Sequence, residues 1–120
     1  EDSANLYPLI VTESNFDDNI YDKIETFGPL LGISYFNNEK KLFKKISSSE
    51  YSLVFYLFSK SKKIINLAKK LNFGSIGVNT TKIQSPGSPT GGNNLSGIGR
   101  EGGIWGFEEF LSTVNYVKEK

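Results

Sequence analysis

The chain has 120 residues, a formal net charge of +1, and neither cysteine nor histidine. Its length corresponds to a single domain. Because it has no thiols or imidazoles, it has no disulfide, thiolate nucleophile or imidazole base, and we predict that it holds no metal ion. The lysines of residues 40–45 and 60–63 recur at helical spacing and indicate solvated helix faces, so we predict no nucleic-acid partner.

The chain lacks methionine and begins at Glu1, which indicates a piece of a longer protein. No apolar run approaches the roughly 18 residues that a membrane span requires, and no charged-then-apolar leader opens the chain. We therefore expect a soluble protein without a membrane partner. The predicted location is the cytoplasm, with an organellar matrix as the alternative, because the absence of cysteine fits a reducing compartment.

The first predicted elements alternate between strand and helix. Residues 30–36 form an apolar run that predicts a strand. Asn37 and Asn38 then offer a cap for a helix over Glu39–Ser47. Residues 52–58 are rich in aromatic and branched side chains with little polar alternation, which predicts a strand covered on both faces.

The alternation continues with a second helix and a third strand. Ile64, Ala68 and Leu71 share one helical face, and Gly74 lies where a helix terminator belongs. The next strand is predicted over residues 75–79.

A long segment rich in glycine, proline, serine and asparagine follows over residues 80–103, and segments of this kind are usually functional or disordered. Phe107, Phe110 and Leu111 then form a last helical face, and residues 113–117 alternate as a strand does. This element order predicts an α/β fold in which helices flank a partial, largely parallel sheet.

Residues 97–102 match the pattern G-x-G-x-x-G, which binds dinucleotide phosphates at a helix N-terminus. The context differs from that of a true fingerprint, because no buried strand precedes the pattern and few residues follow it. We therefore interpret it as a glycine-built turn in which Arg100 and Glu101 hold the loop backbone through charge-assisted hydrogen bonds. A small nucleotide-binding module that uses residues 97–103 is the alternative.

Glu25 lies two residues before Phe27 and just ahead of the rigid pair Gly28-Pro29. A carboxylate can accept hydrogen bonds from two vicinal hydroxyls, and an apolar ring can pack against a nicotinamide. The two residues therefore have the chemistry to recognise a nicotinamide ribose. A solvated loop glutamate is the alternative interpretation.

Three short motifs follow one another along the chain: Glu-x-Phe-Gly-Pro at residues 25–29, Pro-x-Gly-Gly at 89–92 and Ser-Gly-x-Gly-Arg-Glu at 96–101. Together they resemble the end of the catalytic domain of NAD(P)-dependent aldehyde dehydrogenases. The resemblance extends from about residue 7 through residue 117. It implies that residues 1–120 are the C-terminal segment of such a catalytic domain.

The resemblance also implies a reaction. The complete enzyme is expected to oxidise an aldehyde to a carboxylic acid with NAD or NADP, through a thiohemiacetal on a cysteine, hydride transfer and thioester hydrolysis. In the family the nucleophile, the general-base glutamate and the dinucleotide-binding fold precede this segment. The chain is therefore expected to contain no catalytic residue and to be inactive alone, while Glu25 and Phe27 match the family residues that hold the nicotinamide ribose and ring.

By the same resemblance, the loop of residues 81–85 would line the mouth of the aldehyde tunnel. Lys82 and Gln84 can bind a carboxylate-bearing aldehyde such as a dicarboxylic semialdehyde, or they are plain surface residues. Thr90 replaces a frequent phenylalanine, and Asn93-Asn94 replace a frequent aromatic–lysine pair, so a more polar substrate end is expected. The residues assigned to the structure of the loop are Gly91, Gly92, Gly97, Gly99, Arg100 and Glu101.

In aldehyde dehydrogenases the strand that corresponds to residues 113–117 joins a sheet across the subunit boundary, which implies a homo-oligomer. Self-association is also expected through an uncovered apolar sheet face that comprises Leu53, Phe55, Leu57 and Ile76. A function of another class is the main alternative. In that case the chain is a non-catalytic interaction domain, such as a truncated paralogue that pairs with full-length subunits.

Overall fold

A computed structural model describes residues 8–17 and 24–120. In these ranges the chain forms six strands and three helices. The chain divides into two compact units, Glu1–Ser49 and Glu50–Lys120. None of the helices in the described ranges has the length and apolar character that crossing a bilayer requires.

The first unit contains a parallel strand pair and one helix. β1 (Ile10–Glu13) pairs with β2 (Leu30–Ile33). α1 (Glu39–Ser47) begins after Asn38, whose side-chain oxygen accepts a hydrogen bond of 3.0 Å from Lys41 N. Such a cap satisfies an amide that the first turn of a helix leaves unpaired. The helix and its cap are confirmed, whereas β1 was not predicted.

The second unit begins with a short strand, β3 (Tyr51–Ser52), and continues as a strand–helix–strand unit. In that unit β4 (Val54–Leu57) and β5 (Ser75–Val78) are parallel, and α2 (Lys62–Ala68) connects them. Parallel neighbours require such a crossover connection. Ser61 caps α2 by accepting a hydrogen bond of 3.4 Å from an amide of its first turn. The predicted order of strand, helix and strand is confirmed here.

β6 (Asn93–Asn94) pairs with β3 in an antiparallel manner, and α3 (Gly103–Glu108) follows. Within the described ranges the strands form three two-stranded sheets, and two of these sheets are parallel. The α/β class with largely parallel pairing is therefore confirmed. Within the described ranges each strand pairs with only one other.

The predicted last strand is not formed within a single chain. Residues 113–117 have no regular secondary structure, and no described strand pairs with them. A strand exists only when another strand satisfies its main-chain donors and acceptors. Alternation of side chains along one segment cannot supply that partner.

Two predicted helix ends also need correction. α3 ends at Glu108, so Phe110 and Leu111 lie beyond it, since the glycines within this short helix lower its propensity. α2 ends at Ala68, and Gly74 is not in the left-handed region that a terminating glycine adopts. Gly74 therefore has a different role, which the site geometry explains.

The apolar interior of the described ranges is small. Its buried apolar side chains are Ile64, Ala68 and Leu71. Leu53, which was expected on an uncovered sheet face, is 48% exposed. The other expected members of that face are half-buried, namely Phe55, Leu57 and Ile76.

Candidate functional site

The first candidate site is the segment that leads into β2. Glu25 is exposed, and Phe27 is 92% exposed. In the described part of the chain neither side chain forms a hydrogen bond, ion pair or ring contact. The main chain next to them is held against β1, because Ile10 N donates a hydrogen bond of 2.7 Å to Pro29 O. The carboxylate and the ring are thus presented from an anchored backbone.

The second candidate site is the glycine-rich loop of residues 80–103, which follows β5, includes β6 and ends at the first residue of α3. Thr90 and Glu101 bridge it in an antiparallel manner, and each main-chain amide donates a hydrogen bond of 2.7 Å to the carbonyl oxygen of the other residue. Glycine adopts positive φ without the steric cost that a β-carbon imposes. The glycines of this loop with positive φ are Gly91, Gly97, Gly99, Gly102 and Gly103. The glycine density therefore follows from the path of the backbone.

Arg100 links the two arms of this glycine-rich loop. Its Nη1 donates hydrogen bonds to Gly92 O at 2.9 Å and to Gly99 O at 2.7 Å, and its Nη2 donates to Asn93 Oδ1. Charged donors form stronger hydrogen bonds than neutral ones. The carboxylate of Glu101 has no hydrogen bond or ion pair within the described residues. Arg100 thus acts through its side chain, whereas Glu101 acts through its main chain.

A chain of polar side chains that was not predicted extends from Arg100. Asn93 Nδ2 donates to Asn72 Oδ1 at 2.9 Å, and Asn72 Nδ2 donates to Asn94 Oδ1 at 3.5 Å. Asn94 Nδ2 then donates at 3.0 Å to the hydroxyl of Ser52, a residue that is 3% exposed. These side chains connect β6 with β3 and with the segment before β5. No local pattern indicates that residues so far apart in sequence meet.

Gly74 lies against the backbone of the glycine-rich loop. A β-carbon built on Gly74 would lie only 1.6 Å from Gly91 O. No side chain fits there unless one of the two backbone segments moves. The role of Gly74 is therefore to permit the close approach of two segments, and not to end α2.

The residues predicted for the substrate end differ in exposure. Lys82 and Gln84 are exposed on the loop after β5, whereas Thr90 is half-buried in the bridge to Glu101. None of the three predicted residues contributes to the cavity of about 280 Å³ beside α3, which is lined by Gly99, Arg100, Trp105, Glu108 and Glu109. Their contact with an aldehyde stays a prediction.

The pattern G-x-G-x-x-G at residues 97–102 lies between β6, which has two residues, and α3, which has six. A dinucleotide fingerprint requires a buried strand before it and a helix of a βαβ unit after it. The surroundings of residues 97–102 therefore favour the interpretation as a turn.

The sequence model of the aldehyde dehydrogenase family matches residues 1–116, and the chain belongs to this family. It is 37% identical over 90 residues to the succinate-semialdehyde dehydrogenase of Paenarthrobacter nicotinovorans, which covers 74% of this chain and 20% of that protein. It is 32% identical over 111 residues to the 3-sulfolactaldehyde dehydrogenase of Pseudomonas putida, which covers 92% of this chain and 22% of that protein.

The fold is similar to that of solved aldehyde dehydrogenases. The Mycobacterium tuberculosis aldehyde dehydrogenase complexed with NAD+ superposes with a TM-score of 0.74 at 32% identity, covering 83% of this chain and 21% of that chain. The chain spans about a fifth of the length of the curated relatives it matches.

Proposed function

We propose that this chain is the C-terminal segment of the catalytic domain of an NAD(P)-dependent aldehyde dehydrogenase, and that the complete enzyme oxidises an aldehyde with an anionic group. The family match over residues 1–116 carries this proposal. The two relatives described above are named for succinate semialdehyde and 3-sulfolactaldehyde, which both carry an anionic group. The exposed cation of Lys82 suits a substrate of this class.

In this proposal Glu25 and Phe27 orient the nicotinamide half of the cofactor. The exposed carboxylate accepts hydrogen bonds from the ribose hydroxyls, and the exposed ring packs against the nicotinamide. When bound between these residues, the cofactor would supply the acceptor for a hydride from the substrate. Orientation matters because this transfer requires aligned atoms in close contact. Both side chains have the exposure that such contacts require.

The chemistry is divided between this segment and another part of the complete enzyme. The chain has no cysteine and therefore cannot supply a thiolate nucleophile. Its own residues position cofactor and substrate. Purified alone, it is expected to reduce neither NAD+ nor NADP+ in the presence of succinate semialdehyde.

The test of the proposal is Glu25→Gln in the complete enzyme that contains this chain, assayed with succinate semialdehyde and saturating cofactor. The rate of hydride transfer should fall about ten- to a hundredfold, because the amide binds the ribose more weakly and the nicotinamide loses its fixed orientation. Cofactor affinity should change much less, since many other dinucleotide contacts remain.

Glu50→Gln is the matched control, because Glu50 is also an exposed glutamate. It should leave turnover unchanged. If Glu25→Gln keeps its turnover but binds the cofactor poorly, the orienting role is wrong. If the unsubstituted complete enzyme oxidises no aldehyde, the proposed function itself fails.

We further propose that the complete enzyme is a homo-oligomer and that residues 113–117 form a strand only against a neighbouring subunit. Val114 and Tyr116 are each 82% exposed, which suits a segment that gains its partner on assembly. The same exposure also favours a second candidate function, that of a non-catalytic domain that pairs with full-length subunits. Co-purification with such subunits, without any aldehyde oxidation by the complete protein, would support this second function.

A further inference from the structure

Asn79 directly follows β5 and has an unusual conformation. Its main-chain amide donates the last hydrogen bond of the strand pair, 2.7 Å to Leu57 O. Its φ is 55°, in the left-handed region that residues with a β-carbon seldom adopt. The main chain therefore leaves the sheet abruptly at this residue, and the loop of residues 80–85 begins there.

The Asn79 side chain stays where the main chain leaves. Its Oδ1 accepts a hydrogen bond of 2.9 Å from Ser59 N, and its Nδ2 donates one of 3.0 Å to Ser59 O. A carboxamide has the same donor and acceptor as a peptide group. The side chain therefore takes the place of the next peptide in the ladder beside β4. Ser59 Oγ in turn accepts a hydrogen bond of 3.1 Å from Ser61 N, next to the start of α2.

The loop that leaves Asn79 folds back over β5. A β-carbon built on Gly77 would lie 2.6 Å from Thr80 O and 2.9 Å from Ile83 Cγ2, so the loop occupies the space that a side chain at Gly77 would fill. Within the loop Lys82 N donates to Thr80 Oγ1 at 3.0 Å. Thr80, which directly follows Asn79, is thus hydrogen-bonded to the main chain of Lys82.

We propose that Asn79 is a positioning residue for aldehyde recognition: by clamping Ser59 while its backbone turns, it fixes the loop that presents Lys82 and Gln84. This inference rests on the proposed function, in which that loop meets the anionic end of the substrate. Asn79 touches neither substrate nor cofactor in this scheme. Its effect is transmitted through the conformation of residues 80–84.

The experiment uses the complete enzyme with Asn79→Gly and succinate semialdehyde as the probe. Glycine retains the left-handed backbone and removes the clamp. KM for the aldehyde should rise about tenfold, because misplaced binding groups lose contacts with the substrate. At saturating aldehyde kcat should change less than about threefold, since the clamp does not act on the reacting atoms.

Asn79→Asp is the second variant and retains the acceptor for Ser59 N but not the donor. It should give a smaller rise in KM than Asn79→Gly, which amounts to partial rescue. Asn66→Gly is the stability control, because it places a glycine at an exposed position within α2, where a loss of stability without a change in the loop is expected.

The outcomes separate the inference from the proposed function. Asn79→Gly with a lowered melting temperature but a KM equal to that of Asn66→Gly would overturn the positioning role. If the unsubstituted enzyme oxidises no aldehyde, the proposed function fails. Amide hydrogen exchange then tests the hydrogen bonds between Asn79 and Ser59 separately. In that case, unchanged exchange at Ser59 and Lys82 amides in Asn79→Gly would overturn the clamp as well.

Discussion

The segment before β2 and the glycine-rich loop after β5 are two regions with opposite designs. In the first, the side chains of Glu25 and Phe27 are exposed and form no hydrogen bond, ion pair or ring contact within the described residues. In the second, Arg100 directs its hydrogen bonds onto its own loop, two to main-chain carbonyl oxygens and one to the Asn93 side chain. Both regions carry motifs of the family. The first presents a side chain without a hydrogen-bond partner in the described residues, whereas the polar side chain of the second is hydrogen-bonded within its own loop.

This contrast indicates how a charged residue in a motif should be interpreted. A side chain whose donors or acceptors are satisfied within the chain stabilises a conformation, because a ligand would have to displace those hydrogen bonds. A side chain that the fold leaves exposed on an anchored backbone can bind a ligand without first breaking hydrogen bonds within the protein. Glu25 belongs to the second kind and Arg100 to the first.

The largest effect that tests this contrast is expected from a matched pair of glycine substitutions. Gly74→Ala should lower the free energy of unfolding by on the order of 3 kcal/mol, since its β-carbon would lie 1.6 Å from Gly91 O. Gly28→Ala is the control in the other region, because a β-carbon there would have no atom within 4 Å. It should change stability by less than about 0.5 kcal/mol.

Urea denaturation of the two variants measures this difference. Equal losses of stability in both would show that the close approach at Gly74 does not stabilise the glycine-rich loop, and the contrast between the two regions would be lost.

A smaller effect is expected from Arg100→Leu, which removes three hydrogen bonds from the glycine-rich loop. The free energy of unfolding should fall by about 2 kcal/mol. Arg100→Lys should recover only part of this loss, because an ammonium group cannot reproduce the planar fork of a guanidinium. Faster hydrogen exchange of the Thr90 and Glu101 amides would locate the change in the loop. Lys82→Leu, which removes an exposed cation, is the control and should leave that exchange unchanged.

Sequence patterns were sufficient where the signal is local. The helix Glu39–Ser47 and its cap at Asn38 follow from apolar spacing and one capping residue. β1 was missed because Ile10–Glu13 is half polar and lacks an apolar run as long as that of residues 30–36. Only its pairing with β2 makes it a strand.

The candidate site shows the same division. Arg100 was predicted to hold the loop backbone from its residue type and its glycine neighbours. The approach of Gly74 to Gly91 and the hydrogen bond between Asn72 and Asn93 were not predicted. Each joins segments that are distant in sequence, so no local pattern specifies either contact.

The smallest predicted effect concerns residues 113–117. Like Phe27 they are exposed, and Val114 and Tyr116 would form an apolar face if the segment were extended. Val114→Pro should weaken self-association about fivefold, because proline removes an amide donor that an intermolecular ladder would use. Glu119→Pro, beyond the predicted strand, should leave association unchanged. Sedimentation at several concentrations measures both variants. A monomer that persists at high concentration in the unsubstituted chain would contradict the predicted assembly.

The contact between Gly74 and Gly91 joins the start of β5 to the far end of the loop that leaves it. The loop is therefore closed at its base. The closing contact does not fix the number of residues between positions 80 and 85. The entropic free-energy cost of closing a loop grows only slowly with its length, by about 0.6 kcal/mol for each doubling. Insertions or deletions among residues 81–84 are thus expected to leave the closed base as it is, and under the proposed function they would change which aldehydes are accepted.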